Sequence, residues 1–597
     1  MPSPGTRPTA LIDFRSPDDG VAPLRLAFGA PRQVLRATSL DAVAALLARV
    51  EALARAGAWC VGYLCYEAAG AFDEAFETHA PSDPARPLAA FAIHDAPLAD
   101  TSAFDNADTA IVRWTGGPQR DAFGTTIAEI LRAIADGEVY QVNATAPLTG
   151  TLQGDALALF AALRRAQPNA YAAYLDLGDE MHADDRILSV SPELFFDWRD
   201  DRLLARPMKG TAPRGATPDE DAAQAAFLRS AAKERTENLM IVDLLRNDVS
   251  RIAEPHSVRV PRLFHTEAWP TVWQMSSDVV ATTRAGTTLA DVFGALFPCG
   301  SITGAPKVQA MRLIHQLEPE PRGIYCGAIG VVQPGGAATF NVPIRTLALR
   351  DAGAATQVRC GIGSGITADA TVAGEWDEWR HKRAFVDRAS QAFELLETLR
   401  LQEGVFVDVE AHLARLAQAA LHFAFAPPLD SARASLAGLR ATHASGCWRV
   451  RLLADRAGVT RAQAFALAPT TEPVRVRLAE RPLVGSDGEF VRFKTTQRAH
   501  YDAFAPADDA VFDTLLWNER GELTEFTRGN AALRIEGRWL TPASSCGLLP
   551  GIARARLLRE GSIEEAILAR RDLARADGVA FFNSLRGWLA AELEPAD

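Results

Sequence analysis

The chain has 597 residues, 48% hydrophobic and 23% charged, with 43 Gly and 35 Pro. It is too long for one hydrophobic core, and too ordinary in composition for a disordered, collagen-like or coiled-coil protein. Its 62 Lys and Arg against 74 Asp and Glu leave a formal net charge of −12 without a long basic run, which disfavours nucleic acid as a partner and leaves small acidic molecules open.

No run of about 18 apolar residues occurs, and the polar start MPSPGTRPTALIDF lacks a signal-peptide core. Neither a membrane span nor secretion is expected. The seven cysteines are scattered and form no Cys-x-x-Cys, which fits reduced thiols in a cytoplasmic protein better than disulfides or a zinc site.

In chain order, the first 380 residues alternate short β-rich runs with amphipathic helices. Residues 187–190 and 194–198 read as strands around Ser191-Pro192. RPMKGTAPRG (206–215) reads as a turn-rich loop that holds Lys209. Residues 237–252 read as a helix, with Leu239, Val242 and Leu245 recurring near helical spacing. FPCGSITGAPK (297–307) is a glycine turn whose following helix, to Leu317, can receive an anion at its start. A long helix is expected from Glu375 to about Leu396. After Thr398 the pattern restarts: 410–423 reads as a helix, and Trp448/Val450/Leu452 and Val474/Val476/Leu478 alternate as half-buried strands. The domains are therefore placed at 1–385 and 386–597, with no Pro/Gly/Ser-rich linker between them and no internal repeat.

Two features of the first domain suggest chemistry. On a helix Glu375, Glu378 and Lys382 share one face, and two carboxylates beside a cation suit Mg²⁺ together with a carboxylate ligand. Such a face is, by itself, more often only solvated. Lys209 sits in a Pro/Gly-punctuated segment; most such lysines are surface lysines, but a desolvated one can act as a nucleophile.

SPELFF (191–196), RPMKGTAPRG (206–215), KERTENLMIVDLLRND (233–248), FPCGSITGAPKVQAM (297–311), RGIYCGAIG (322–330) and GEWDEWRHK (374–382) occur in that order. Together they resemble the chorismate-utilising enzymes: anthranilate synthase component I, aminodeoxychorismate synthase component I and isochorismate synthases. The resemblance covers most of residues 10–385 and implies a β-sandwich domain with helices. It implies Glu237 and Glu378 as Mg²⁺ ligands, with Glu375 assisting directly or through water. Gln141, Thr303, Tyr325, Arg345, Gly365 and Lys382 would bind substrate, the last four holding chorismate carboxylates. Glu193 would protonate the departing C4 hydroxyl, which needs a raised pKa. Lys209 stands where anthranilate synthases usually carry Ala, and a lysine there is the aminodeoxychorismate synthase pattern. Gln141 stands where isochorismate synthases carry a lysine base. Gln274, in VWQMSS, replaces a His of many relatives, and LIDFRS (11–16) matches a tryptophan-pocket motif poorly.

In the second domain Lys494 lies in FKTTQR after an expected strand, Glu525 near the end of a hairpin over 515–525, and LLPGIAR (548–554) opens a helix. Singly these are ordinary. In this order, with EAHLARL (410–416) and FNSLRG (582–587), they resemble fold-type IV pyridoxal phosphate enzymes, including branched-chain and D-amino acid aminotransferases and aminodeoxychorismate lyase. The resemblance implies an α/β domain in which Lys494 carries pyridoxal 5′-phosphate and Glu525 pairs with its ring nitrogen. Arg415 and the Ile552/Ala553 backbone would take the phosphate. The opening DRASQAFELLETLR (387–400) departs from that family: its glycines are replaced, and the expected last helix of the first domain occupies the place of a small strand.

Taken together the resemblances imply 4-aminobenzoate made from chorismate. The ammonia would come from a separate glutamine amidotransferase subunit or from solution, since no G-x-C-x-G elbow is present. The rival is an anthranilate synthase component I with an aminotransferase-like or non-catalytic appendage.

Overall fold

The computed structural model describes residues 7–18, 20–81, 83, 86–105, 110–178, 186–214, 218–269, 272–353, 355–390, 393–486, 488–508 and 510–594. The chain divides into two compact units, 1–391 and 392–597. The helix Val372–Ser390 runs on past residue 385 before that division.

Two antiparallel sheets build the first unit. One runs in the order Gly304–Ala305, Gln141–Gln153, Ala355–Ile366, Thr346–Ala352, Arg186–Ser191, Tyr171–Asp176, Ala10–Phe14, Leu24–Phe28. The other runs from Met208–Pro213 through Val272–Thr282, Arg202–Arg206 and Leu194–Arg199 to Ala338–Asn341, Ala328–Val332, Trp59–Leu64, Ala89–His94 and Gln33–Ala37. Ile12, Phe14, Phe28 and Tyr171 of the first pack against Val61, Leu194, Leu204 and Ile329 of the second. Helices cover both outer faces, Leu40–Arg55 and Ala232–Ser250 on one side, Ala156–Ala166 and Val372–Ser390 on the other. This is a sandwich with helices outside, as the resemblance implied.

In the second unit a four-stranded sheet, Val405–Phe406, Leu395–Gln402, Cys447–Ala454 and Thr460–Ala466, packs on the helices Val409–His422 and Leu429–Thr442. An eight-stranded sheet of mixed direction runs from Leu523–Phe526 through Asp513–Trp517 and Val474–Leu478 to Glu564–Ala566.

Four local expectations are corrected. Residues 206–214 are not a loop, and Gly215 lies outside the described residues: Met208–Pro213 pairs with Val272–Thr282, and its register slips between Met208 and Thr211. Pro and Gly mark a bulge there rather than the end of pairing. The helix expected to reach Leu396 ends at Ser390, and Leu395–Gln402 is a strand; the alternation Leu395, Glu397, Leu399, Leu401 inward outweighs helical propensity. In Ala232–Ser250 the buried stripe is Asn238, Ile241, Val242, Leu245 and Val249, which leaves Leu239 facing out. Lys494 follows the short helix Glu489–Arg492 rather than a strand. All seven cysteines are free thiols, and no described helix is long and apolar enough to cross a membrane.

Candidate active sites

The bulge in Met208–Pro213 turns Lys209 across the sheet. Gly210 adopts φ +94°, where an L side chain is strained, and a Cβ on it would meet Glu234 Oε2 and Met275 Cε at 2.9 Å. The Gln274 amide donates to Gly210 O at 2.8 Å and accepts from the Thr211 hydroxyl at 3.1 Å, while Asn238 reaches Lys209 O at 3.4 Å. The half-buried Lys209 side chain ends on Gly365, where an added Cβ would lie 2.4 Å from Nζ and 2.8 Å from Gln141 Nε2. Glycine at 365 is therefore what admits the amine. Burial holds the Lys209 amine below the usual lysine range; the positive charge of Lys382 adds to this and Glu237 opposes it.

Glu193 is 3% exposed. Burial lifts its carboxyl to about 7, against the Ser301 hydroxyl, the Lys209 charge and the Met208 amide, which favour the anion. Its Oε1 is buried without a hydrogen-bond partner, as are both polar atoms of the fully buried Gln141 amide. Orphaned polar groups gathered around one amine are what an absent polar ligand leaves behind.

The carboxylates lie on the same side. Lys382 Nζ contacts Glu378 at 2.7 Å and donates to Gly363 O at 2.8 Å. Glu375 accepts from the Ser364 hydroxyl, and Glu237 from Thr367 at 3.4 Å. Burial raises Glu375, with the neighbouring Glu378 charge adding to it, and burial and Glu237 raise Glu234 likewise. An acidic, all-oxygen donor set fits a hard divalent cation in kind. Among the described residues, however, no three His, Cys, Asp or Glu side chains are drawn together as a metal ligand set.

Three other residues expected to bind substrate make contacts of their own. The Tyr325 ring rests on Gly361 and borders a cavity of about 1110 Å³ that neither Lys209, Glu193 nor Lys382 lines. Arg345 bonds Gln167, and burial and Arg388 hold its guanidinium down at about 10. The Thr303 hydroxyl donates within its own turn, to Cys299 O at 3.1 Å and Gly300 O at 3.3 Å. In that motif Lys307 forms a buried 2.7 Å ion pair with Asp248.

The second unit gathers its groups around Lys494. Leu396 N donates to Lys494 O, which fixes the lysine against the strand Leu395–Gln402. Burial, then the Arg415 and Arg498 charges, push its amine down to about 8. Glu525, 3% exposed on Leu523–Phe526, is lifted by burial to about 7 and accepts from Tyr501 Oη at 2.6 Å and Leu549 N at 3.0 Å. Arg415 donates to Glu397 through two nitrogens at 2.8 and 2.7 Å and to Pro550 O at 3.4 Å. His412 also contacts Glu397 at 2.7 Å; against the penalty of burial, Arg415 and His412 hold that carboxylate at about 2. The helix Ile552–Arg559 begins beside this arginine, and the amides of Ile552 and Ala553 precede its first internal bond, Ala555 N to Gly551 O. A lysine, a buried acid, an anchored arginine and a helix start fit pyridoxal phosphate in chemistry.

Residues 99–388 match the chorismate binding enzyme family, and 394–592 match amino-transferase class IV. The chain joins a chorismate binding enzyme domain to a class IV aminotransferase domain. Aminodeoxychorismate synthase component 1 of Klebsiella aerogenes is 40% identical over 296 residues, 50% of this chain and 62% of that protein. Anthranilate synthase component 1 of Streptomyces coelicolor is 36% identical over 276 residues, 46% of this chain and 52% of that protein. The chain thus spans less than two thirds of the length of these curated relatives. The crystal structure of anthranilate synthase component I from Streptococcus pneumoniae superposes with a TM-score of 0.51 at 22% identity, covering 64% of this chain and 90% of that one; it shares the fold of the chorismate binding domain.

Several site residues escaped the sequence reading. In the chorismate binding domain these are Ser301 beside Glu193 and Asn238 on the Lys209 backbone. In the class IV domain they are Glu397, His412, Tyr501 and Arg498. Glu397 had a usable signal, a charged residue at an inward position of LLETLRL; the others lie on elements whose neighbours in space are remote in sequence.

Proposed function

We propose that the chain makes 4-aminobenzoate in two stages, amination of chorismate in the first unit and loss of pyruvate in the second. The observation that carries this reading is the half-buried Lys209 amine, held below its usual range and lying on Gly365 beside the unpartnered Gln141 amide, with the Glu193 charge acting on it.

In the first stage the neutral Lys209 amine bonds to C2 of the substrate ring. Both conjugated ring double bonds shift, and the C4 hydroxyl leaves as water with a proton from Glu193, whose carboxyl at about 7 still carries one near neutrality. Ammonia then adds at C4 and expels the lysine, which restores the amine and gives 4-amino-4-deoxychorismate. Glu237 and Glu378, with Glu375, would hold Mg²⁺, which neutralises the ring carboxylate and draws electron density from the ring. Lys382 supplies a cationic donor for a substrate carboxylate. Gln141 cannot act as a base, which disfavours an isochorismate-type hydration. A separate glutamine amidotransferase subunit supplies the ammonia in this reading.

In the second stage bound pyridoxal phosphate supplies an electron sink beside the substrate amine. Arg415 and the Ile552 and Ala553 amides would hold its phosphate, and Glu525 its ring nitrogen. Lys494, its amine near 8, can take the ring proton as the enolpyruvyl group departs and aromaticity is gained.

Incubation with chorismate, Mg²⁺ and ammonium, with and without pyridoxal phosphate, tests both stages by chromatography. The amino intermediate should build up without the cofactor and 4-aminobenzoate should form with it. Formation of ortho-aminobenzoate instead would make the first unit an anthranilate synthase.

A further inference from the structure

Arg498 stands four residues beyond Lys494 and caps the short helix Ala499–Asp502. Its guanidinium lies over the ring of Tyr501, three residues on, with the carbon 4.7 Å from the centroid. That tyrosine, 5% exposed, donates its hydroxyl to Glu525 at 2.6 Å. Arg498 and Glu525 are thus joined by one buried aromatic plate, and the arginine's charge bears on both Glu525 and Lys494.

The two arginines of this site are disposed differently. Arg415 is neutralised by the two-nitrogen bond to Glu397, and its remaining nitrogen faces Pro550 O near the helix start. Arg498 donates to a neutral acceptor, Thr527 O at 2.6 Å, and among the described residues it makes no ion pair with a carboxylate. A half-buried guanidinium of full charge, tied by one nitrogen to a carbonyl and packed flat on an aromatic ring, is pre-organised for a planar anion. The phosphate-binding elements lie on the Arg415 side, so a second anion is what this cation suits.

We propose that Arg498 is the receptor for a carboxylate of the substrate in the second unit, a role that rests on reading that unit as a pyridoxal phosphate site. A ring carboxylate and an enolpyruvyl carboxylate offer the same chemistry, and separate ligands tell them apart.

The test uses the full chain loaded with pyridoxal phosphate, titrated by the change in cofactor absorbance with 4-aminobenzoate, with pyruvate and with aniline, alongside KM and kcat for conversion of the amino intermediate. Arg498→Gln should weaken one of the two carboxylates by about 10- to 100-fold and raise KM by a similar factor, leaving aniline unaffected; whichever carboxylate responds names the group bound. Arg498→Lys, which keeps the charge without the fork, should lose less than Arg498→Gln, and it decides the matter if the glutamine variant does not take up cofactor: a raised KM at unchanged thermal midpoint supports the receptor. Carboxylate affinities and KM within twofold of the parent overturn the proposal, as does equal weakening of aniline. A shift confined to the pH midpoint of the absorbance also overturns it, because Arg498 would then act only on Glu525 through Tyr501. If the parent chain shows no cofactor absorbance at all, the reading of the second unit falls and takes the receptor with it.

Discussion

Lys209 draws its reactivity from two neighbours that supply space and burial. Lys209→Ala should lower chorismate amination by about 10³-fold or more, measured as consumption of chorismate with ammonium, because it removes the amine that lies against Gly365 beside Gln141. Gly365→Ala tests the space by itself: a methyl group 2.4 Å from Nζ should depress kcat strongly with little change in thermal midpoint. Glu193 sets the pH response. Its carboxyl is lifted by burial to about 7 from an ordinary value near 4.5, so the folded chain binds this proton more tightly than the unfolded one. Stability contributed by the protonated acid therefore declines as pH rises across that window, and the rate of the hydroxyl-loss step should fall as pH passes through about 7. A pH–rate profile of Glu193→Gln, lower by about 10²-fold or more and without this limb, checks the assignment. In the second unit the sign reverses for Glu397. Held at about 2 by Arg415 and His412, it stabilises the fold above pH 4.5 and loses that contribution as pH falls toward 2.

At the scale of elements, the bulge in Met208–Pro213 and the helix Ala232–Ser250 act as one device. The strand offers Lys209, and the helix returns Asn238 to its backbone and Asp248 to Lys307. Asp248→Ala should cost about 3–5 kcal/mol, seen as a lowered first transition in thermal unfolding, since it strands a buried ammonium. Much of this was open to sequence reasoning: Glu375, Glu378 and Lys382 announce their shared face through spacing, and Glu525 sits on its hairpin as the alternation of 515–525 requires. What was hidden has a common cause. Turn residues in 206–215 looked like a loop because a bulge uses the same glycine that ends a strand, and pairing with Val272–Thr282 is a long-range fact. The arginine–tyrosine–glutamate arrangement in the second unit depends on a hairpin that meets a helical turn 24 residues earlier, and a single sequence carries no record of such meetings.

At the scale of the whole molecule, every residue assigned to amination lies within 141–382 and every residue assigned to elimination within 397–553, inside separate compact units. The two activities should therefore be separable by single substitutions. Lys494→Ala should abolish the cofactor's absorbance and 4-aminobenzoate formation while chorismate is still consumed and the amino intermediate accumulates.

The strand Gln141–Gln153 finds its main neighbour in Ala355–Ile366, and the acids and lysine of Val372–Ser390 follow only after that. A ribosome must therefore deliver nearly two thirds of the polypeptide before the amination pocket can close around anything. Until then a long, sticky sheet margin waits without its mate, so chaperone demand during synthesis should fall chiefly on the first unit.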